Sequence, residues 1–184
     1  ATWTTAVGTG AGAAITTGTQ NTFIGGGAGD ATTTGASNTS IGYASLGSNT
    51  TASNNTGLGY AALAANTTGS ENTAVGRNAL DANTTGANLV AMGNGALGAN
   101  TTASYNTGIG EQALAANTTG AANVALGSYA LDANTTASDN TAIGASSLTT
   151  NTTGANNVAV GRDALGANTT ANDNTAVGYH ALKA

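Results

Sequence analysis

The chain has 184 residues and is almost without charge: charged residues are 6%, aromatic residues 4%, the net charge is −5, and cysteine and proline are absent. Arg77, Arg162 and Lys183 are the three cations, too few for a patch that tracks phosphates, so a nucleic acid partner is excluded. Without cysteine there is no disulfide framework, and no apolar run approaches the ~20 residues of a membrane span.

The organisation is a tandem repeat. Asn-Thr-Thr recurs at Asn49, Asn66, Asn83, Asn100, Asn117, Asn134, Asn151 and Asn168, each 17 residues after the last. A register held that long argues against disorder, despite the low charge. Numbered from the Asn of Asn72-Thr73-Ala74-Val75-Gly76, units begin at Thr4, Asn21, Asn38, Asn55, Asn72, Leu89, Asn106, Asn123, Asn140, Asn157 and Asn174.

Along the chain, residues 1–184 read as one repeat domain. Residues 1–37 are its irregular start, with Gly12 and Gly29 at position 9. From 38 to 184 the units are regular, and position 9 is Leu in all nine of them, Leu46 through Leu182. Position 5 is Gly in all eleven units. Position 4 is aliphatic or Met, as in Val75, Met92 and Ile109; position 8 is Ala or Ser; positions 6, 7 and 10 vary and hold most of the charges.

A unit of 17 residues is too short for two packed helices, and its Gly, Asn and Thr are poor helix-interior residues. The alternation in Asn72 to Val75 predicts a strand with positions 2 and 4 on one face and 1 and 3 on the other. The unvarying Gly that follows predicts a turn at positive φ. The predicted fold is all-β, a β-solenoid of β-roll or β-helix type with about eleven 17-residue coils. Each coil is expected to hold two or three short strands, and stacking at ~4.8 Å makes a rod roughly 50 Å long. Positions 2, 4, 9, 11 and 13 are the expected interior.

Position 3 then points outward. Apart from Phe23 it holds only Ala, Gly or Ser and never a charge. Ala74, Ala91, Gly108, Ala125, Ala142, Ala159 and Ala176 therefore form a row where a second chain is expected to approach closely, with Trp3 and Phe23 as apolar contacts. The other reading of the same row is a narrow coil that needs small residues beside the position-5 glycine. A finer period overlies the first. Position 2 alternates Thr73, Val90, Thr107, Val124, and the residue after Asn-Thr-Thr alternates Gly86, Ala103, Gly120, Ala137, so the full unit is 34 residues. Duplication of a paired unit and different packing of odd and even coils both account for it.

The core Asn-Thr-Ala-Val/Ile-Gly followed by Ala-Leu, carried by Val75-Gly76, Ile109-Gly110, Ile143-Gly144 and their equivalents, resembles the head repeats of YadA-like trimeric autotransporter adhesins. It is also similar to tandem arrays in phage-type tail fibres. The resemblance runs from Thr4 to Leu182, although the unit here is longer than the usual head repeat. It implies a left-handed β-roll, often trimeric, displayed outside the cell, with a host surface or glycan as its partner.

The ends suggest self-association. Ala1 to Trp3 fall at positions 15 to 17 and Ala184 at position 11, so a second copy continues the repeat with three residues missing. Neither end shows the polar cap of a soluble solenoid. A homopolymer stacked end to end, with Trp3 buried at the junction, or a homotrimer is expected; a fragment of a longer array presents the same ends.

Chemistry is sparse. His180 sits at variable position 7 with no local nucleophile or carboxylate motif, and reads as a solvated rim residue. Asp30, Asp81 and Asp132 share position 10 but lie three coils apart, roughly 14 Å, too far to share an ion. Gly26 to Asp30 only approximates the calcium nonapeptide. No catalytic residue, metal site or cofactor is expected. Two surface roles remain. If position 13 points inward, positions 12 and 14 form an exposed Asn-x-Thr array: Asn66 and Thr68, Asn83 and Thr85, Asn100 and Thr102, Asn117 and Thr119, Asn134 and Thr136, Asn151 and Thr153. That array resembles the threonine arrays of ice-binding solenoids; the alternative is a ladder that holds coils together. The ten Asn-x-Ser/Thr patterns, which include Asn38-Thr39-Ser40 and Asn54-Asn55-Thr56, raise glycosylation. Sugars on every coil would be ~4.8 Å apart and too crowded. Asn83 and Asn134, each with an Asp two residues upstream, are the expected acceptors. The expected role is an extracellular or cell-surface structural fibre, used in adhesion or matrix formation, with ice binding as the alternative.

Overall fold

The computed structural model of the chain describes residues 3–183. Eleven strands, from β1 (Thr5–Val7) to β11 (Thr175–Val177), form one parallel sheet in sequence order. Each residue pairs with the one 17 positions on, as in Thr73 with Val90, Ala74 with Ala91 and Val75 with Met92. The chain is a β-solenoid, as the repeat predicts. Each coil holds a single three-residue strand at positions 2–4, rather than two or three strands.

The rest of each coil is turns, yet it is hydrogen-bonded to both neighbours. Two turns close within a coil: Ala79 N–H donates to Gly76 O at 3.4 Å, and Asn83 N–H to Leu80 O at 3.2 Å. Around them, non-glycine residues at positions 7, 9 and 17 adopt the left-handed conformation, with φ of 54° at Asn78, 54° at Leu80 and 57° at Asn88. Such residues cost about 1–2 kcal/mol each. Their return is in the direction of the N–H groups. Asn78 and Asn88 donate back to Tyr60 O and Ser70 O of the preceding coil, while Leu80 and Ala82 donate forward to Ala96 O and Gly98 O of the next. A chain with so little regular strand can leave few buried amides unpaired.

Glycine at position 5 is required twice over. Gly76 has φ +132°, and a Cβ there would lie 2.6 Å from Gly93 O of the next coil. The positive φ expected from the sequence is present, and the coils touch backbone to backbone at this corner.

The interior differs from the expected one. Positions 1 and 3 of the strand face inward and positions 2 and 4 outward, the reverse of the sequence reading. Ala74, Ala91, Ala125, Ala142 and Ala159 are fully buried, as are the Leu residues at position 9 from Leu46 to Leu148. Position 8 joins them, with Ala62, Ala79, Ala96, Ala113 and Ala130. Positions 11 and 13 are half-buried at the wall, and Asn at positions 1 and 12 fills the inside instead. The reason is width. A 17-residue coil closed by tight turns leaves room for Ala opposite Leu, and Val or Ile at position 3 would not fit between them.

Phe23 obeys the same rule. It is fully buried, and a Cβ at Gly12 or Gly29 would lie 2.8 Å or 2.6 Å from its ring. The two glycines that replace Leu at position 9 in the first units make room for this ring, so the irregular start is a local exchange of two leucines for one phenylalanine.

The 34-residue period also has a structural basis. In coils with Gly at position 15, the position-14 amide reaches the next coil, as from Thr85 to Thr101 O at 3.2 Å. A Cβ at Gly86 would stand 2.3 Å from Ala103 O. The next coil carries Ala103 and then Ser104, whose Oγ accepts from Ala87 N–H at 3.0 Å; Ser138 does the same for Ala121. From Asn72 onward, odd and even coils therefore join by different bonds on this wall.

Candidate functional site

Two asparagine ladders run through the interior. At position 12, Asn83 donates Nδ2 to Asn66 Oδ1 at 2.9 Å and to Gly86 O at 3.0 Å, and its own Oδ1 accepts from Asn100 Nδ2 at 3.0 Å. At position 1, Asn72 Oδ1 accepts the Leu89 backbone N–H at 3.0 Å, and Asn72 Nδ2 donates to the same Gly86 O at 2.9 Å. Each coil is thus braced across its width by two amides that meet on one carbonyl. Position-13 hydroxyls add an outer row, as from Thr84 Oγ1 to Thr101 O at 3.0 Å.

This geometry corrects three expectations. Asn83 and Asn134 are fully buried with both amide protons engaged, so neither is an available sugar acceptor. The Asn-x-Thr array is not a surface. Asn66, Asn83, Asn100, Asn117, Asn134 and Asn151 point inward, and Thr68, Thr85, Thr102, Thr119, Thr136 and Thr153 are exposed on the other side of the wall. Asn is drawn in because it meets donors and acceptors there that a solvated row would not supply. The position-3 row, with Phe23, Ala74, Ala91, Gly108, Ala125, Ala142, Ala159 and Ala176, lies inside its own coil and is not exposed to a partner. Trp3 is 83% exposed.

What faces outward is the other side of the sheet. Ile24, Leu58, Met92, Leu126 and Ile143 at position 4 keep between 37% and 43% of their surface in solvent. Beside them at position 2 stand Thr or Val, among them the exposed Val124 and Val158. No charged residue occurs at either position in any coil. The strip is about 50 Å long and ~7 Å wide, the scale at which an apolar patch marks an interaction surface. The sequence held a sign of it. Position 4 accepts Val, Ile, Leu and Met, which an interior of fixed width would not, whereas position 3, apart from Phe23, holds only the small residues Ala, Gly and Ser.

The first and last described coils each lack one neighbouring coil. At the last coil a recess of about 320 Å³ is lined by Leu165, Asn168, Thr169, Asn174 and Leu182 among others. Leu182 is 61% exposed, although its equivalents at position 9 are buried. At the other end Val7 is exposed, and the hydroxyl of Thr4, at position 1, is buried without a partner among the described residues. Ala1, Thr2 and Ala184, on which the phasing of an end-to-end junction depends, lie outside the described residues.

Among the described residues, titratable groups gather around Asp163. Asp163 Oδ2 accepts from His180 Nε2 at 3.0 Å and lies 3.5 Å from Arg162 Nε and 3.7 Å from Lys183 Nζ, a partly exposed ion cluster at one end. Tyr179 stacks on His180, and Tyr43 on Tyr60. Arg77 and Glu111 are exposed. Asp132 Oδ1 accepts from Thr149 Oγ1 at 2.7 Å, and burial raises the pKa of Asp81 above the usual carboxylate value. No group of three metal-ligating side chains occurs among the described residues, and no helix is long and apolar enough to cross a membrane.

No family model, curated protein or solved structure matches this chain.

Proposed function

We propose that this chain is a non-catalytic structural subunit of an extracellular fibre that assembles with copies of itself. The observation that carries the reading is the uncharged strip that runs the length of the sheet, aliphatic or Met and partly exposed at position 4, with Thr or Val beside it at position 2. Aliphatic side chains repeated at ~4.8 Å along a stacked sheet suit a second copy of the same repeat better than a small ligand. Lateral packing of this strip corresponds to a trimer, the arrangement the resemblance to YadA-like heads and phage-type fibres implies. End-to-end stacking is the other mode of assembly that this proposal admits. Adhesion to a host surface or glycan, or matrix formation, is the use such a fibre would have.

The test is the mass in solution across a wide concentration range, for the parent chain and for Met92→Lys with Leu126→Lys. The parent is expected to give multiples of 17.3 kDa. The double variant should fold and lose lateral association. A parent chain that stays at one protomer at every concentration would overturn the proposal.

A further inference from the structure

The ladders leave one sequon open. Ten Asn-x-Ser/Thr patterns occur in the chain. Asn38, Asn49, Asn66, Asn83, Asn100, Asn117, Asn134 and Asn151 are fully buried. Asn168, half-buried, gives its Nδ2 protons to Asn151 Oδ1 at 2.8 Å and Ala171 O at 3.1 Å. A sugar on any of these amides would replace a proton that a ladder uses.

Asn54 differs. It sits at position 17, exposed, at the left-handed apex of a turn with φ of 61°. Its backbone N–H donates to Ala36 O at 3.1 Å, and its side chain takes no part in either ladder. Two residues on, Thr56 stands at position 2, half-buried on the outward face of the strand. Position 17 has room for a large group. It holds Gln20, Glu71, Tyr105 and Asp139 in other coils, all exposed. The coincidence is unique along the rod. The other position-17 asparagines, Asn88 and Asn156, are followed by Val90 and Val158 and are not sequons.

We infer that Asn54 is an acceptor for an asparagine-linked glycan. The donor is an oligosaccharide on a lipid pyrophosphate, transferred by an oligosaccharyltransferase. The Asn54 Nδ2–C1 bond forms as the C1–O bond to the pyrophosphate breaks. The lipid pyrophosphate leaves with the electron pair, and one Nδ2 proton passes to a base of the transferase. The glycan projects from the turn edge and leaves every coil-to-coil bond intact. This inference rests on the extracellular placement in the proposed function and not on self-assembly, so the solution mass and the glycan analysis fail separately.

The experiment is secretion of the full chain from cells that carry an asparagine-linked oligosaccharyltransferase, followed by intact mass and glycopeptide sequencing. The expected result is a single glycosylated site, at Asn54. Asn54→Gln loses the glycan. Thr56→Val also loses it, and is safe for the fold because Val90, Val124 and Val158 occupy the same position in other coils. Unmodified Asn54 in the secreted parent chain, glycan retained in Thr56→Val, or sugar on Asn83 or Asn134 of folded protein would each overturn the inference.

Discussion

Asn117→Ala separates a structural asparagine ladder from a surface array. Asn117 is fully buried, donates to Asn100 Oδ1 at 3.1 Å and Gly120 O at 2.9 Å, and accepts from Asn134 Nδ2 at 2.9 Å. Three net hydrogen bonds contribute about 3 kcal/mol, and Asn100 Oδ1, left buried without its donor, adds ~1–3 kcal/mol to the loss. The substitution should therefore cost about 4–6 kcal/mol. For a chain of this size that lowers the thermal midpoint by about 8–24 °C. Because each coil contacts only its neighbours, the damage should be local. Amide exchange should quicken first at Thr118 and Thr135, whose N–H groups bond the adjoining coils, and stay slow near Leu46. Thr119→Ala, two residues away and exposed, is the control, expected to change stability by no more than about 0.5 kcal/mol. Circular dichroism melts and hydrogen exchange read both. A loss below about 1 kcal/mol for Asn117→Ala would refute the ladder as a source of cohesion.

Other outcomes follow from the same geometry. Gly76→Ala should prevent stacking at that corner and reduce soluble folded yield, since its Cβ would meet Gly93 O at 2.6 Å; normal yield and an unchanged melt would count against the close backbone approach. Ala61→Gly, at φ of 54°, should raise stability by up to about 1 kcal/mol, because the left-handed conformation is free to glycine; a clear loss in a urea titration would contradict it. Asp81 has its pKa raised from 3.8 in the folded chain by burial, so the folded state binds the proton more tightly than the unfolded one. Its contribution is then most favourable below 3.8 and is lost as pH rises through the raised value. Asp81→Asn should melt higher than the parent chain at neutral pH and converge with it in acid; melts that differ equally at both pH values would exclude this linkage.

Part of this architecture was legible in the residues. The 17-residue period, the constant Gly at position 5 and the Leu at position 9 lead directly to a stacked coil with a positive-φ corner and a leucine spine. The facing of the strand was not. Hydrophobicity alone puts Val75 inside and Asn72 outside, because alternation identifies two faces without saying which is the core. What decides is coil width, set by tight turns and by left-handed residues such as Leu80 that propensity rules do not anticipate. In so narrow a space Ala74 and an amide that bonds its own copies are favoured over a branched aliphatic. The sugar sites were misassigned for the same reason. Asn83 and Asn134 match a sequence pattern, but their amides are already committed to the neighbouring coils. The buried ring of Phe23 and the glycines at 12 and 29 were each visible as exceptions, and only the fold shows that they are one exception.

Electron cryomicroscopy of the purified chain tests the fibre account most directly. The account predicts rods longer than the roughly 50 Å of one solenoid, or bundles of parallel solenoids, joined at the coil ends or along the position-2 and position-4 face. Single, unassociated rods of about 50 Å at every concentration would contradict it.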